Sequence, residues 1–359
     1  MRRLQLASLV AIAAAMAFAE TAAAADLTIT SWGGAYQTSQ RKAYYEPYAQ
    51  KKGAKITEEE YNGEIAKIRA MVEAKDVTWD VVDVDTQTAQ QGCDEGIFET
   101  LDYSKIRDKS EFIPGSAMDC AVGTIVYSTI FAYDTDKLKD GPTKIADLFD
   151  LQKYPGKRAL QKSPFGNLEF ALMADGVPAN KVYEVLSTPE GVDRAFKKLD
   201  TIKKNVVWWE AGAQPPQLLA SGEVVMTTAW NGRIYNANKQ EGRHFKIVWD
   251  GQLQDLDLWA IPKGAKNPQA SYDFIAYASD PAVMANQSKY ISYGPTVKAA
   301  IPHIAPDVLK DLPTAPENST DALLASAEFW ATMASSCASG SMTGSPAQAD
   351  LTQAERGAA

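Results

Sequence analysis

The chain has 359 residues, a formal net charge of −9 and 45% hydrophobic residues, which is enough for two lobes of ordinary domain size. An acidic balance of this kind argues against binding to nucleic acid or to an anionic membrane surface. Only two histidines are present, His244 and His303, and no HExxH sequence occurs. We therefore expect no metal, no other cofactor and no nucleic-acid partner.

The first 25 residues have the pattern of a secretory signal peptide. Arg2 and Arg3 form a basic start, Leu4–Phe18 is apolar, and residues 23–25 are alanines that suit cleavage before Asp26. The apolar run is shorter than the roughly 20 residues that span a bilayer, which argues against a membrane anchor. We expect a monomer in the bacterial periplasm.

The first half of the chain alternates strand-like and helical stretches. Leu27–Thr30 predicts a strand that ends at two glycines, so that Trp32 projects from the strand's carboxyl end. After a strand predicted at Ala54–Tyr61, Val77–Val84 predicts a further strand, and its alternation places Asp83 and Asp85 on one face. One of these carboxylates could meet a cation, but a helix-capping or solvated role is an equal alternative.

A long apolar run, Val122–Tyr133, predicts the strand on which the chain first crosses between lobes. Cys93 and Cys120 lie in the same predicted lobe, and the periplasm is oxidising. We therefore predict a disulfide between them, which leaves Cys337 unpaired. Because strands alternate with helices almost throughout, the fold class is α/β with mostly parallel sheets.

The second half supplies further polar and aromatic side chains at strand ends. The strand 205–209 ends in two tryptophans, and since neighbours on a strand face opposite sides, at most one can line a cleft; we assign Trp209. The run Val224–Trp230 stops just before Arg233. Two more strands follow, residues 245–250 and 256–262, and the second carries Asp257. Open α/β sheets bind ligands at such strand ends.

Several short sequences together resemble a known family: Ser31-Trp32-Gly33, Asp80-Val81-Val82, Cys93-Asp94-Glu95-Gly96, Thr135-Asp136-Lys137, Ala229-Trp230-Asn231-Gly232-Arg233, Trp259-Ala260-Ile261-Pro262 and Tyr293-Gly294-Pro295-Thr296. In their order and spacing from about residue 27 to 330, they resemble the periplasmic solute-binding proteins of ABC importers, in the branch that carries spermidine, putrescine and related amines. Each sequence alone is weakly specific.

The resemblance implies a type II clamshell, in which two lobes joined by crossing strands close on a ligand and deliver it to an inner-membrane permease and its ATPase. The boundaries we predict are residues 26–132 for lobe 1, 133–257 for lobe 2, 258–305 for a return to lobe 1, and 306–359 for a C-terminal segment packing near lobe 2. A ligand that touches both lobes shifts the equilibrium from open to closed.

The resemblance also carries site residues over by position. Trp32, Trp230, Asp257 and Tyr293 match places that line the amine site of the family, with Asp257 where an ammonium is held. Asp85 stands where the family has a hydroxyl residue. Aromatic faces suit this role because a cation over an indole gains roughly 0.5 to 2 kcal/mol.

Two departures from the family pattern point to a different ligand. Polyamine binders of this branch hold a second ammonium with carboxylates after the mid-chain strand, where residues 163–167 here contain no acid. Arg233 would repel a diamine, whereas its guanidinium pairs well with a carboxylate. The sequence therefore predicts a zwitterion, a short ω-amino acid such as 4-aminobutyrate, with its ammonium on Asp257 and its carboxylate on Arg233.

The sequence leaves alternatives open. Arg233 could instead point into solvent or into a salt bridge between lobes, and the ligand could be putrescine or spermidine. A secreted α/β enzyme could use the carboxylate pairs Asp83/Asp85 and Asp255/Asp257 as acid and base, but no nucleophile and histidine pair supports it. A ferric-ion binder of similar fold would need adjacent tyrosines or a histidine near Tyr293.

The end of the chain departs from the amphipathic helix with a late tryptophan that the family has. After Trp330 the sequence becomes rich in Ser, Ala and Gly without apolar periodicity. One permissible back-translation of residues 331–345, when translated in another frame, gives the expected charge pattern and tryptophan. We therefore expect a tail after about residue 331 that is frameshifted or disordered.

Overall fold

A computed structural model of the protein describes residues 26–339. The predicted signal peptide and residues 340–359 lie outside the described residues. The strands are β1 Leu27–Ser31, β2 Ile56–Glu60, β3 Val81–Asp85, β4 Ala121–Asp134, β5 Arg158–Gln161, β6 Val206–Trp209, β7 Met226–Trp230, β8 Phe245–Ala260, β9 Gly294–Pro295 and β10 Leu323–Leu324.

Thirteen α-helices connect these strands in the described part of the chain: α1 Gly34–Gln40, α2 Glu46–Lys52, α3 Ile65–Glu73, α4 Thr86–Asp94, α5 Asn167–Ala174, α6 Val182–Leu186, α7 Pro189–Asp200, α8 Gln214–Ser221, α9 Asn231–Glu241, α10 Pro268–Ala278, α11 Pro281–Asn286, α12 Pro306–Leu309 and α13 Ala327–Ser339. A π-helical segment, Arg41–Tyr45, joins α1 to α2. In residues 26–339 no helix is long and apolar enough to cross a membrane.

The strands form a mixed sheet in the order β2-β1-β3-β8-β4-β7-β5-β6. Pairs near the two ends are parallel, as the predicted α/β class requires, with β1 beside β2 and β3 and with β5 beside β6 and β7. The central pairs are antiparallel, because β4 and β8 run in opposite directions along each other. The α/β clamshell predicted from the sequence is confirmed, but the strands form one continuous mixed sheet where two sheets were predicted, because the crossing strands pair with both halves.

The two long strands β4 and β8 link the lobes. The predicted crossing strand is present as β4, which has 14 residues and is buried along almost its whole length. The sequence predicted two strands between residues 245 and 262, but these form the single 16-residue strand β8. The pairing of β8 with β4 is irregular between Thr129 and Phe131 of β4. Opposite this irregularity β8 continues through Gly251, which has a φ of 71°. Glycine adopts this left-handed conformation without strain.

Separate hydrophobic cores support the two lobes. The first contains Leu27, Tyr44 and Phe274, and the second contains Leu160 and Leu168. Between them lies a small aromatic cluster, composed of Tyr36, Ile125, Tyr127, Ile291 and Tyr293 with Trp32, Ala35 and Trp230 packed against it. This interlobe cluster is the place where a ligand could contact both lobes.

The predicted disulfide between Cys93 and Cys120 is confirmed, with the two Cα atoms 5.8 Å apart. It joins the end of α4 to the residue before β4. The lobe boundaries stay predictions. Val308 packs in the first core, whereas Leu323 packs in the second, so the C-terminal segment contacts both.

The C-terminal helix α13 is anchored to the second lobe. Trp330 is buried, and its Nε1 donates to Glu169 Oε1 at 2.9 Å. Glu169 caps the start of α5 by accepting from the Gly166 N–H at 2.8 Å, and burial raises the pKa of Glu169 to about 7. The helix runs to Ser339, beyond the point at which the sequence predicted a frameshifted or disordered tail. Cys337 belongs to the part whose side chains are not described.

This anchoring predicts the effect of two substitutions. Trp330→Ala should lower the free energy of unfolding by about 4 kcal/mol, because it empties a large buried site. Trp330→Phe keeps an aromatic ring at this position but removes the N–H donor to Glu169. It should lower the free energy of unfolding by about 1 to 2 kcal/mol. Urea unfolding followed by tryptophan fluorescence measures both. Equal and small losses would mean that the helix does not stabilise the second lobe.

Candidate functional site

The carboxyl ends of β1 and β3 place one aromatic and two acidic side chains beside the interlobe cluster. Trp32 follows β1 directly, is half-buried, and its Nε1 donates to Asp83 Oδ1 at 3.3 Å. The remaining acceptors of Asp83 are also used, since Tyr36 donates at 2.8 Å and Gln40 and Ser31 donate as well. Asp83 therefore holds the side chains around it in position and has no acceptor left for a ligand.

Three further acids lie close to Asp83, Asp85 on the same strand and Asp255 and Asp257 on the neighbouring strand β8. The antiparallel pairing of β3 with β8 sets Asp85 directly opposite Asp257, and Asp255 lies two residues away on the same face of β8. Burial raises the pKa of Asp83 and of Asp255 to about 7. It also raises the pKa of Asp85. The charge of Asp85 adds to the shift of Asp255, because like charges disfavour the ionised form.

Two of these three acids have partners of their own. Asp85 Oδ1 accepts from the backbone N–H of Thr88 at 2.7 Å and caps helix α4. Asp255 accepts from the hydroxyl groups of Thr86 and Tyr127, the latter at 3.3 Å. In residues 26–339 no group of three or more His, Cys, Asp or Glu side chains has the arrangement of a metal site. The acids therefore resemble a set of braced carboxylates more than a coordination sphere.

Asp257 differs from its neighbours. It is 6% exposed, and the hydroxyl of Tyr36, which also donates to Asp83 at 2.8 Å, interacts with its carboxylate. Burial, followed by the charges of Asp83 and Asp85, raises the pKa of Asp257 well above its usual value, which the Tyr36 hydroxyl offsets only in part. A buried carboxylate that shares its one donor with another acid is costly to ionise, so Asp257 is the acid of this group that a cation would stabilise most.

Aromatic rings pack against one another near Asp257, whose charge acts on Tyr127 and Tyr293. The Trp230 ring lies edge-on to Trp32, with centroids 5.8 Å apart, and to Tyr127 at 6.3 Å. Tyr293 packs edge-on to Tyr36 at 5.3 Å and to Tyr127 at 6.4 Å. The first lobe contributes Trp32 and Tyr36, whereas Trp230 ends β7 in the second. This arrangement can bind an ammonium against ring faces.

Arg233 packs against the aromatic cluster. It is 3% exposed, and its Cζ lies 5.5 Å from the centroid of the Trp230 ring and 5.9 Å from that of Tyr36. Both Arg233 and Asp257 influence Tyr293: burial raises the pKa of the Tyr293 hydroxyl, Arg233 lowers it, and Asp257 raises it. The two groups that the sequence predicts for a zwitterion therefore flank the same ring.

The guanidinium of Arg233 also bridges the lobes. Its Nη1 donates to the carbonyl of Gly33 at 2.8 Å and its Nη2 to the carbonyl of Trp32 at 3.0 Å. The alternative in which Arg233 makes a salt bridge between lobes is thus replaced by hydrogen bonds to backbone carbonyls. Its Nε is buried and has no hydrogen-bond partner among the described residues. A guanidinium has five N–H groups, so those that neither donate to these carbonyls nor interact with Tyr293 stay available to a ligand.

The other predicted site residues take different places. Trp209 is fully buried and packs edge-on behind Trp230, with centroids 5.5 Å apart, so it reaches the site only through that ring. Asp85 faces Asp257 across the strand pair but is used as a helix cap. Trp32, Trp230, Arg233, Asp257 and Tyr293 come together around the interlobe cluster.

Sequence reasoning missed Tyr127 and Tyr36 as wall residues. Tyr127 shares a face of β4 with Ile125 and lies opposite Asp255 in the β4–β8 pairing, so the alternation along the crossing strand was a usable signal. Tyr36 and Gln40 are four residues apart on α1 and both donate to Asp83. This i, i+4 spacing places them on one helix face, but nothing in the sequence marks which helix faces Asp83.

The fold and the interlobe site define a two-lobed binding protein. In agreement, the model of the bacterial extracellular solute-binding protein family matches residues 43–317. The chain therefore belongs to this family. A gamma-aminobutyric acid-binding protein of Pseudomonas aeruginosa PAO1 is 47% identical over 316 residues, which cover 88% of this chain and 90% of that protein. The spermidine/putrescine-binding periplasmic protein of Escherichia coli K12 is 24% identical, over 77% of this chain and 80% of its own.

Solved structures give the same assignment. The structure described as the Atu4243-GABA receptor has 38% sequence identity to this chain and a TM-score of 0.76. The match covers 86% of this chain and 94% of that one. The binding protein AgtB of Agrobacterium tumefaciens R10 in complex with agropinic acid is 34% identical with a TM-score of 0.80, covering 87% and 96%. Members of this family are solute-binding proteins, and nothing in these relatives points to an enzymatic activity.

Proposed function

We propose that this protein is the periplasmic substrate-binding component of an ABC importer, which closes on a short ω-amino acid such as 4-aminobutyrate and delivers it to an inner-membrane permease. The sequence pattern of residues 1–25 supports secretion to the periplasm. Relatives described as binding gamma-aminobutyric acid, at 47% and 38% identity, support the ligand class.

The observation that carries the ligand assignment is that a buried acid of raised pKa, Asp257, and a buried guanidinium, Arg233, both act on the same ring of the aromatic cluster, Tyr293. Asp257 would bind the ammonium, and the free N–H groups of Arg233 would bind the carboxylate as a charge-assisted pair. The rings of Tyr36, Trp230 and Tyr293 would cover the methylene groups between them. The ligand would contact side chains of both lobes and so favour the closed form.

Putrescine and spermidine are the second candidates, supported by relatives that are 24% identical. A diamine would need a second acceptor, and the remaining acids have partners. Asp83, Asp85 and Asp255 accept protein hydrogen bonds, and Glu169 accepts from Trp330 and Gly166. A diamine would also bring its second charge close to Arg233.

Calorimetric titration of the purified mature protein with 4-aminobutyrate, putrescine and spermidine tests the proposal. We expect 4-aminobutyrate to bind with a micromolar or lower Kd, about −8 kcal/mol or better, and both polyamines to bind at least about 100-fold more weakly, since they lack the pairing with Arg233. Tight binding of putrescine without binding of 4-aminobutyrate would contradict the zwitterion assignment.

Affinity should depend on pH because the acids near the ammonium have raised pKa values. Asp83 and Asp255 titrate near 7 without ligand, and an ammonium favours their ionised form. Affinity should therefore fall below pH 7, by up to about tenfold per pH unit for one coupled proton. Titration in buffers of different ionisation enthalpy should detect proton release on binding.

The same pKa shifts determine how the stability of the unliganded protein depends on pH. A carboxyl pKa that folding raises from about 4 to about 7 costs stability as pH rises through that range. The unliganded protein should thus have a higher Tm at pH 5 than at pH 8, while ligand restores stability more strongly at pH 8. If the affinity for 4-aminobutyrate were constant from pH 5.5 to 8, the ligand's ammonium would not lie beside buried carboxylates of raised pKa.

A further inference from the structure

A cavity of about 310 Å³ lies between the lobes on the Arg233 side of the aromatic cluster. The first lobe lines it with residues of α1 and the π-helical segment, including Ser39 and Lys42, and the second lobe lines it with residues of α8 and α9, including Gln217 and Asn236. A volume of this size is at the lower end of the roughly 300 to 1,000 Å³ that small-molecule sites occupy.

The cavity adjoins the proposed ligand site. Arg233 belongs to its wall and also stacks beside Trp230. Gly212 lines it too, and a Cβ at this position would lie 2.3 Å from the Trp230 ring and 3.1 Å from Arg233 Nε. A glycine here therefore lets the indole and the guanidinium approach the cavity wall. Ala35 borders both the cavity and the aromatic cluster.

The two ends of the proposed site differ in openness. At the ammonium end the walls are Asp83, Asp255 and Tyr127, all at most 7% exposed and hydrogen-bonded to one another or to neighbours. At the carboxylate end the wall is Arg233, whose buried Nε has no partner, and beyond it the cavity offers polar side chains and the ammonium of Lys42. Glu241 also lines the cavity, and its carboxylate is paired with Arg243 at 3.5 Å.

We propose that this cavity is a second subsite, which admits ω-amino acids carrying a polar, amide-linked extension at the carboxylate end and not at the nitrogen. This inference rests on the proposed function. The amide carbonyl of such a ligand would accept from Arg233, and the terminal carboxylate would lie in the cavity towards Lys42. An extension on the nitrogen would meet the closed acidic end instead.

Two isomeric dipeptide-like compounds test the proposal directly. In 4-aminobutyrylglycine the amide follows the carboxylate end of 4-aminobutyrate, whereas in glycyl-4-aminobutyrate it follows the nitrogen, and both are zwitterions of the same composition. By calorimetry we expect 4-aminobutyrylglycine to bind within about tenfold of 4-aminobutyrate, and its isomer at least about 100-fold more weakly, since burying an extension at a closed, charged end is costly.

Two cavity variants separate the subsite from the primary site. Lys42→Gln removes the cation and Gln217→Trp fills part of the cavity; each should weaken 4-aminobutyrylglycine about fivefold or more and leave 4-aminobutyrate unchanged, because only the extended ligand reaches them. Equal affinity for the two isomers, or variants that do not discriminate between ligands, would overturn this inference alone. Failure of 4-aminobutyrate itself to bind the unmodified protein would overturn the proposed function.

Discussion

Replacing Asp257 by asparagine is expected to weaken 4-aminobutyrate binding by about 100-fold or more, since truncating one partner of a buried charged pair costs roughly 2 to 5 kcal/mol. The same change should not destabilise the unliganded protein. Asp257 is buried beside Asp83 and Asp85, and its pKa is raised well above the usual value, so a neutral amide removes repulsion. Isothermal titration and thermal unfolding measure the two effects separately.

Asp85→Asn is the matched control for this substitution. Asp85 faces Asp257 in the strand pairing, but its carboxylate caps helix α4, and asparagine is an equally good cap. We expect at most a threefold change in affinity, which is about 0.6 kcal/mol. If Asp85→Asn weakened 4-aminobutyrate binding as much as Asp257→Asn does, the assignment of the ammonium to Asp257 would be wrong.

Replacing Arg233 by glutamine should change the order of ligand preference. The variant loses the carboxylate partner, which should weaken 4-aminobutyrate about 100-fold, and it loses the like charge that opposes a diamine. Putrescine should therefore bind the variant no more weakly than the unmodified protein. The ratio of the two affinities is the informative quantity, because losing the hydrogen bonds from Arg233 to Gly33 and Trp32 affects lobe closure with either ligand.

Arg233→Lys is the control that keeps the charge. Lysine has one charged nitrogen in place of the planar fork, so it cannot hold both backbone carbonyls and a ligand carboxylate. We expect an intermediate loss for 4-aminobutyrate and continued exclusion of putrescine. If glutamine and lysine at position 233 gave the same ratio of ligand affinities, Arg233 would act only as a bridge between lobes.

The sequence was informative about the scaffold because strand periodicity and strand ends are local properties. The crossing strand β4 was predicted within one residue at each end, and the cysteine pairing was confirmed. The continuity of β8 could not be predicted, because Gly251 and the polar residues after it have the composition of a turn. Pairing with β4 keeps this stretch in the sheet, and such tertiary contacts override local preference.

The site was only partly predictable for a similar reason. Residue types at strand ends indicated Trp32, Trp230 and Asp257, but the use of each acid depends on donors from distant parts of the chain. Asp83 is saturated by groups of β1 and α1, which no spacing rule brings to β3. The exposed or buried state of Trp209 depends in the same way on its packing behind Trp230.

A crystal structure of the mature protein with 4-aminobutyrate is the most direct measurement of the central claim. The account predicts one ligand inside the interlobe aromatic cluster, with its nitrogen within about 3 Å of an Asp257 oxygen and its carboxylate within about 3 Å of Arg233 nitrogens. A ligand bound outside that cluster, or one whose two charged ends contact neither Asp257 nor Arg233, would contradict it.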